Sequence, residues 1–524
     1  MLSEAATFVR FARGLRGFLN SPLSAEDCRR IAQDQIANRE KTFLLVIERG
    51  VYAIPSNPYR KLLSTAGIEY GDVARMVADD GVEGALGKLH EAGVYTSIEE
   101  FKGRTPIRRG SVEIPVESED FDNPLHSRDL TVQSSGSTAK ARRLSVDFEI
   151  LRHDAAWSRI HFEGLGVFDR PFGLWRPVPP GSAGIKNALI LSKLGHPAER
   201  WFTASDLSWS PGRLKSNIFG AYAARASRFT AYPLPIPEYT AMTNARKVAE
   251  WLGEKRRAGT PANIDTPASS GTRIAIAARD ADIDISGSFF RIGGEPATDA
   301  KTALLRELGC RFSTNWAMAE IGRLAYGCCN PDVGDEMHLL KGKMAVRQVS
   351  KEVHGESVGA FFVSTLHVNS PKIMINTEIG DSGVMTERRC GCPLEKAGLA
   401  VHVHTLRSYE KLTTAGMHFL GSDFVKLVEE TLPARFGGHS TNYQFREQIG
   451  QDGVAQVSVV ISPSVGEVSD DRVVEEVVAF LGARSRGDSM MANHWLQSGV
   501  LTVVREEPEM LATQKTPALR VHRQ

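Results

Sequence analysis

The chain lacks a charge surplus of either sign: 63 Lys and Arg stand against 62 Asp and Glu over 524 residues, a formal net charge of +1. A phosphate-backbone partner calls for a basic excess, so nucleic acid is excluded as a main partner. Cysteine is scarce too, with six in all, and five of them fall between Cys310 and Cys392. Scattered disulfides of a secreted protein are thereby excluded, and the expected compartment is a reducing cytoplasm. No apolar run approaches the roughly 18 residues of a membrane span; the best, 359–366 and 457–461, are strand-length. Glu4, Arg10, Arg13 and Arg16 interrupt any signal-type apolar segment at the start. Phe8, Phe11, Leu15 and Phe18 lie at helical spacing, read here as a helix docked on its own core rather than on a membrane surface.

What is present is an ordinary globular composition, 42% apolar and 24% charged, in a chain long enough for about two to four domains. Residues 1–129 read as mostly helical. From Leu130 onward, strand-like patches at 130–133, 143–146, 273–278 and 289–292 alternate with helices, which predicts an α/β fold. Segments 173–184 and 259–271 read as Pro, Gly and Ser-rich connections. Near the end, 454–462 reads as a buried strand, and Ser469 caps a helix whose Val473, Val474, Val477 and Leu481 form one face before Gly482. A boundary near Arg407 divides the chain into a large α/β domain, 1–406, and a small α+β domain, 407–524.

The most informative stretch is Ser134, Ser135, Gly136, Ser137, Thr138, Ala139, Lys140, Ala141, Arg142. Hydroxyls and backbone N–H groups there can donate to an anion while Lys140 and Arg142 neutralise it. The same composition also describes a solvated Ser/Gly turn. The spacing is not that of a P-loop, and the segment leads into strand-type residues rather than a helix. Further on, Phe289–Ile292 reads as a strand, Gly293-Gly294-Glu295-Pro296 as a turn, and 298–308 as a capped helix. A strand then runs into Asn315-Trp316-Ala317-Met318-Ala319-Glu320. No G-x-S-x-G elbow or G-x-G-x-x-G turn occurs, so hydrolase and dehydrogenase readings have no anchor.

That order of Ser/Gly/Lys loop, GGEP turn and aromatic-x-x-x-Glu segment resembles the adenylate-forming superfamily of acyl-CoA synthetases, adenylation domains and luciferases. Within it, the pattern is similar to phenylacetate-CoA ligases. The N-terminal Asn57-Pro58-Tyr59 to Ile68 segment extends the likeness over nearly the whole chain. The resemblance implies a large, multilayered adenylate-forming domain and a small mobile C-terminal one. It implies that Ser134–Lys140 hold the ATP β- and γ-phosphates, although Ala139 and Ala141 stand where the family has glycine and proline. Gly294, Glu295, Pro296, Asn315 and Trp316 border the nucleotide, and Glu320 binds Mg²⁺. Asp381, in a Gly380-Asp381 turn, bonds the ribose hydroxyls. Arg407 lies near ribose and phosphate, with Glu410 as the hinge acid. Lys515, the one lysine after Lys426, is the cation that meets carboxylate and α-phosphate.

Cys328, Cys329, His338, Cys390 and Cys392 offer a Cys, His, Cys, Cys set suited to tetrahedral Zn²⁺, similar to the structural zinc site of some phenylacetate-CoA ligase relatives; reduced, partly buried thiols are the alternative. The implied activity uses ATP to activate a small-molecule carboxylate as acyl-adenylate, releases pyrophosphate, and passes the acyl group to coenzyme A. Capture by an amine, a carrier protein or another acceptor stays open, as does a non-catalytic nucleotide-binding relative. The acid is not legible, nor is oligomeric state, with a homodimer left open.

Overall fold

The computed structural model describes residues 14–127, 130–133, 143–178, 181–205, 223–353, 356–409, 412–414, 417–419, 425–449, 455–483, 495, 501–511 and 513–522. The N-terminal part is helical apart from the small hairpin β1 (Ile107–Arg109) and β2 (Val112–Ile114). Asn57 caps the helix Pro58–Thr65 by accepting from the N–H of Tyr59, with Pro58 at the first helical position, where its missing donor costs nothing. The hairpin β3 (Leu130–Gln133) and β4 (Arg143–Val146) flanks segment 134–142.

The body is a sheet of twelve strands. Its parallel half comprises β5 (Phe172–Trp175), β6 (Arg200–Thr203), β7 (Pro237–Tyr239), β8 (Asn263–Thr266), β9 (Phe289–Gly293) and β10 (Arg311–Met318). The antiparallel half comprises β11 (Gly322–Gly327), β12 (Met337–Leu339), β13 (Met344–Val353), β14 (Glu356–Thr365), β15 (Thr377–Glu387) and β16 (Val401–Ser408). Across the sheet the order is β13-β14-β15-β16-β12-β11-β10-β9-β8-β5-β6-β7. Helices Ser182–Lys193, Ala268–Asp280 and Asp299–Glu307 carry the crossovers after β5, β8 and β9, as parallel pairing requires.

Two sequence expectations are overturned here. Residues 273–278 are no strand; they lie in the helix Ala268–Asp280, whose buried Gly271, Ile274, Ala275 and Ala278 follow helical spacing. The segments read as connections each hold a parallel strand, β5 and β8, buried at all four positions. The polar β8 escaped notice because Asn263 and Asp265 are buried with partners: Asn263 Nδ2 donates to Val167 O at 2.7 Å, and Asp265 accepts from several cations.

The C-terminal unit has its own sheet, ordered β21-β20-β19-β22, from β19 (Tyr443–Ile449), β20 (Ala455–Ile461), β21 (Leu501–Arg505) and β22 (Leu519–His522). The helix Asp470–Gly482, capped by Ser469, packs Val473, Val477 and Leu481 onto it beside Leu427, Leu432 and Phe445. In chain order the hairpin β17 (Leu412–Thr414) and β18 (Met417–Phe419) comes between the strands of the two sheets. Strand β16 runs to Ser408, so Arg407 still belongs to the large sheet. Among the described residues, no helix is long and apolar enough to cross a membrane.

Gly184 is tightly packed: a Cβ there would lie 2.4 Å from Trp201 Cζ2 and 2.5 Å from Pro177 O. Trp201 is pinned in turn by its Nε1–H, which donates to Arg176 O at 2.9 Å. Gly184→Ala is therefore expected to destabilise the protein by about 1–3 kcal/mol, read as a lowered urea midpoint with an unchanged slope.

Candidate active site

Strand β5 pairs with β6 on one side and β8 on the other. The chain builds outward from β5 through β6 and β7, then returns to add β8, β9 and β10 across it. Connections leaving β5 and β8 thus diverge, and a crevice opens at the carboxyl ends of these strands. Arg176 follows β5 there, Asp265 is next to last in β8, and Gly293 ends β9, with Gly294 to Pro296 following it.

Asp265 gathers this region. Arg176 Nε and Arg291 Nε both donate to its carboxylate, and Asn187 Nδ2 donates to Oδ1 at 3.1 Å. Burial alone would raise this carboxyl, but the guanidinium groups of Arg176, Arg291 and Arg323 overcome that and hold it below the ordinary aspartate range. Arg323 Nη2 donates to Asn187 Oδ1 at 3.0 Å, extending the network to β11.

The C-terminal tail closes the crevice. Gln514, only 1% exposed, has φ +63°, a left-handed conformation uncommon for a side chain this size. Its Nε2 donates to Thr203 Oγ1 at 3.2 Å, its carbonyl accepts from Ser270 Oγ at 3.4 Å, and its N–H donates to Leu511 O at 2.8 Å. These bonds hold a strained residue in place and aim its neighbour: a Cβ on Gly294, itself at φ +86°, would sit 2.9 Å from Lys515 Cε. The glycine is the seat on which the lysine rests.

Two cavities adjoin at that seat. One, of about 260 Å³, is lined by Glu295, Pro296, Trp316, Asp381, Arg407 and Lys515 among others. The second, of about 310 Å³, is lined by Arg176, Lys186, Asn187, Met318, Arg323 and Lys515 among others. Gly294, Asn315, Ala317 and Lys515 belong to both. Trp316 Nε1 donates to Asp381 Oδ2 at 3.1 Å, fixing ring and carboxylate against each other. Asn315 Nδ2 donates to Ile292 O at 3.0 Å and braces the end of β9.

Eight of the residues singled out in the sequence converge here: Gly294, Glu295, Pro296, Asn315, Trp316, Asp381, Arg407 and Lys515 all line one cavity. Their details differ from expectation in places. Gly380 and Asp381 stand within β15 rather than in a turn. Glu295 turns its carboxylate into the protein, accepting from Ser269 Oγ at 2.7 Å and lying 3.4 Å from Lys301 Nζ. Glu320 occupies the turn between β10 and β11; its neighbours Ala319 and Ile321 line the larger cavity. Ser134, Ser135, Gly136, Ser137, Thr138, Lys140 and Glu410 lie outside the described residues.

Cys328, His338, Cys390 and Cys392 bring one ligand atom each within 4.8 Å of one another. Cys329 is outside that group, its thiol 3.9 Å from His161 O. His338 Nδ1 faces Leu399 O at 2.6 Å, which turns Nε2 toward Cys392 Sγ at 3.2 Å and Cys390 Sγ at 3.5 Å. Hydrogen bonds from Cys328 and Cys329 hold the Cys392 thiol far below its usual range, toward thiolate. Burial and the bond to Cys392 push Cys328 the other way.

Several residues escaped the sequence reading. Lys186 and Arg323 carry no motif and are placed by the sheet; Arg176, which the sequence leaves open, with Trp175 and the Pro-rich loop, as a pocket residue or part of a structural loop, does line the larger cavity. Lys301 Nζ lies 2.7 Å from Glu429 Oε1, and Thr298 Oγ1 donates to Glu429 Oε2 at 2.6 Å. Burial would lower this ammonium, but Glu429 and Glu295 hold it above the ordinary lysine range. Glu429 belongs to the C-terminal unit, so this buried triad joins the two halves of the chain.

No family model matches the chain, and no curated protein matches it. Among solved structures, an open conformation of 2-hydroxyisobutyryl-CoA ligase in complex with 2-HIB-AMP and CoA is similar at 15% identity and TM-score 0.44, covering 89% of this chain and 93% of that one. McyG A-PCP complexed with phenylalanyl-adenylate is similar at 10% identity and TM-score 0.42, with 97% and 81% covered. Amide bond synthetase McbA from Marinactinospora thermotolerans is similar at 11% identity and TM-score 0.41, with 94% and 98% covered. At these identities the case for an activity rests on the residues of the site.

Lys301→Met leaves two buried carboxylates facing each other without their cation. It is expected to cost about 3–5 kcal/mol of stability, whereas the double variant Lys301→Met with Glu429→Leu recovers part of that loss in thermal unfolding.

Proposed function

We propose that the chain is an adenylate-forming ligase: it activates a small carboxylic acid with ATP, releases pyrophosphate, and passes the acyl group to a second nucleophile, coenzyme A being the acceptor we favour. The observation that carries this reading is the position of Lys515, which lines both cavities at their shared border. A reaction that joins a carboxylate to an α-phosphate must bring two anions together, and a cation fixed between two adjoining pockets answers that need. An ionised carboxylate resists nucleophiles while a mixed anhydride with AMP accepts them, so the activation precedes the transfer.

In this reading the smaller cavity takes the nucleotide. Trp316 and Pro296 supply flat apolar faces for the base, Asp381 is an acceptor-only carboxylate for ribose hydroxyls, and Arg407 faces the phosphates. The larger cavity takes the acid. Ser134–Lys140 are proposed to bind the β- and γ-phosphates, and Glu320 to hold Mg²⁺, whose charge offsets that of the triphosphate. The unit beyond β16, in place of the expected 407–524, is proposed as the mobile domain that presents Lys515 for the first half-reaction and withdraws it for the second.

Cys328, His338, Cys390 and Cys392 are proposed to bind Zn²⁺. Three thiols and an imidazole fit this ion, whose tetrahedral ligands lie about 3.8 Å apart given Zn–S bonds near 2.3 Å, and Leu399 O already orients the imidazole. The metal would serve as a crosslink between the segment after β11 and the one after β15.

Exchange of labelled pyrophosphate into ATP across a panel of acids tests adenylation; product analysis with and without coenzyme A tests the acceptor. Lys515→Ala is expected to lower adenylation by about 10²–10³-fold with an unchanged melting temperature, and undiminished exchange in that variant would refute the assigned role. Elemental analysis of purified protein is expected to find one zinc per chain, and Cys392→Ser to lose it and lower the melting temperature.

A further inference from the structure

The larger cavity is built with more positive charge than its own carboxylates match. Three carboxylates stand in or beside it. Asp265 is held by Arg176 and Arg291. Asp154 pairs with Lys343 Nζ at 2.8 Å. Asp147 caps the helix Phe148–Gly164, accepting from the N–H groups of Glu149 and Ile150 at 2.9 Å, and also accepts from Asn369 Nδ2 at 3.0 Å.

Two cations remain. Arg323, 8% exposed, spends Nη2 on Asn187 and leaves Nη1 buried without a partner among the described residues. Lys186 projects from the helix Ser182–Lys193, where Ala183, Lys186, Asn187 and Ile190 share the face that lines the cavity. Among the described residues it makes neither ion pair nor hydrogen bond, and burial draws its ammonium down to about 8, with Asp154 offsetting that only in part. A guanidinium N–H buried without an acceptor is costly, as is a half-buried ammonium with no carboxylate in contact, and an anion in the cavity removes both costs.

The register shows that these cations stand apart from the reacting end. Asn315 of β10 is opposite Gly293, beside the seat of Lys515, whereas Arg323 is opposite Ala317. Two residues of strand separate the two points, roughly 7 Å. Gly322 adjoins Arg323 in sequence, and a Cβ there would lie 3.1 Å from Lys343 Nζ and 3.8 Å from Asp154 Oδ2, the two groups whose charges bear most on Lys186. Apolar side chains, including Ile190, Met318 and Ile321, line the same cavity. Its volume of about 310 Å³ is at the small end for ligand pockets.

We infer that the substrate acid carries a second carboxylate at its far end, received by Lys186 and Arg323, with a short apolar spacer between the two acid groups. This rests on the adenylate-forming reading above and adds the class of acid. The alternative is that both cations face the triphosphate instead.

The test is pyrophosphate exchange with chain-matched pairs, adipate against hexanoate and suberate against octanoate. The wild-type protein is expected to favour the diacid by about 100-fold in kcat/KM. Lys186→Met and Arg323→Gln are each expected to lower that ratio at least tenfold, through KM for the diacid, with KM for ATP within twofold of wild type. Lys186→Arg is expected to keep the preference, and melting curves control for folding. Equal or better use of monoacids by the wild-type protein overturns the inference and leaves adenylation standing. A rise in KM for ATP that matches the rise for the acid also overturns it, by placing the cations on the nucleotide. No exchange with any acid removes the parent reading and this one together.

Discussion

The arrangement depends on one buried carboxylate. Asp265 sits where the strand order reverses, and the cations it binds come from the residue after β5 and from the middle of β9. Without it, three guanidinium groups would crowd the carboxyl ends of β5, β8 and β9 with no counter-charge, and the ends of those strands could not stay together. Gly293 and Gly294 continue directly from β9, so the bend on which Lys515 rests is fixed by the same network. The position of the lysine thus traces back to a salt bridge in the sheet rather than to the tail that bears it.

The tail contributes by a different device. Gln514 is held at positive φ by bonds to Thr203, Ser270 and Leu511. Two of these partners lie in the parallel half of the large sheet or its helices. The bonds that dock the tail on the large domain thus also brace its strained turn, next to Lys515.

The site was legible where chemistry is carried by short local patterns. The GGEP bend, the Asn315-Trp316 pair, Asp381 and Arg407 were legible through their resemblance to short motifs of a known family, and the structure gathers these four at one cavity; the clustered cysteines stand out by residue type. The parallel strands were less legible. Asn263-Ile264-Asp265-Thr266 looks like a polar loop because its burial depends on arginines that arrive from other strands. Residues 273–278 mislead in the opposite sense: Ile274 and Ile276 alternate as in a strand, yet the buried set of the helix also takes in Ala275 and Ala278. Arg176, Lys186 and Arg323 have no local signature, since only the sheet order brings a strand end, a crossover helix and an antiparallel strand to one place.

The Glu295–Lys301–Glu429 triad has one more implication. Glu295 borders the smaller cavity, and Glu429 comes from beyond the last strand of the large sheet. Departure of the C-terminal unit would withdraw one of the two carboxylates that neutralise Lys301 and leave the other to it alone. The electrostatic potential at the wall beside Pro296 therefore changes with the placement of a distant segment. By reciprocity, any occupant that senses this change must bias where that segment resides, and by the same free energy.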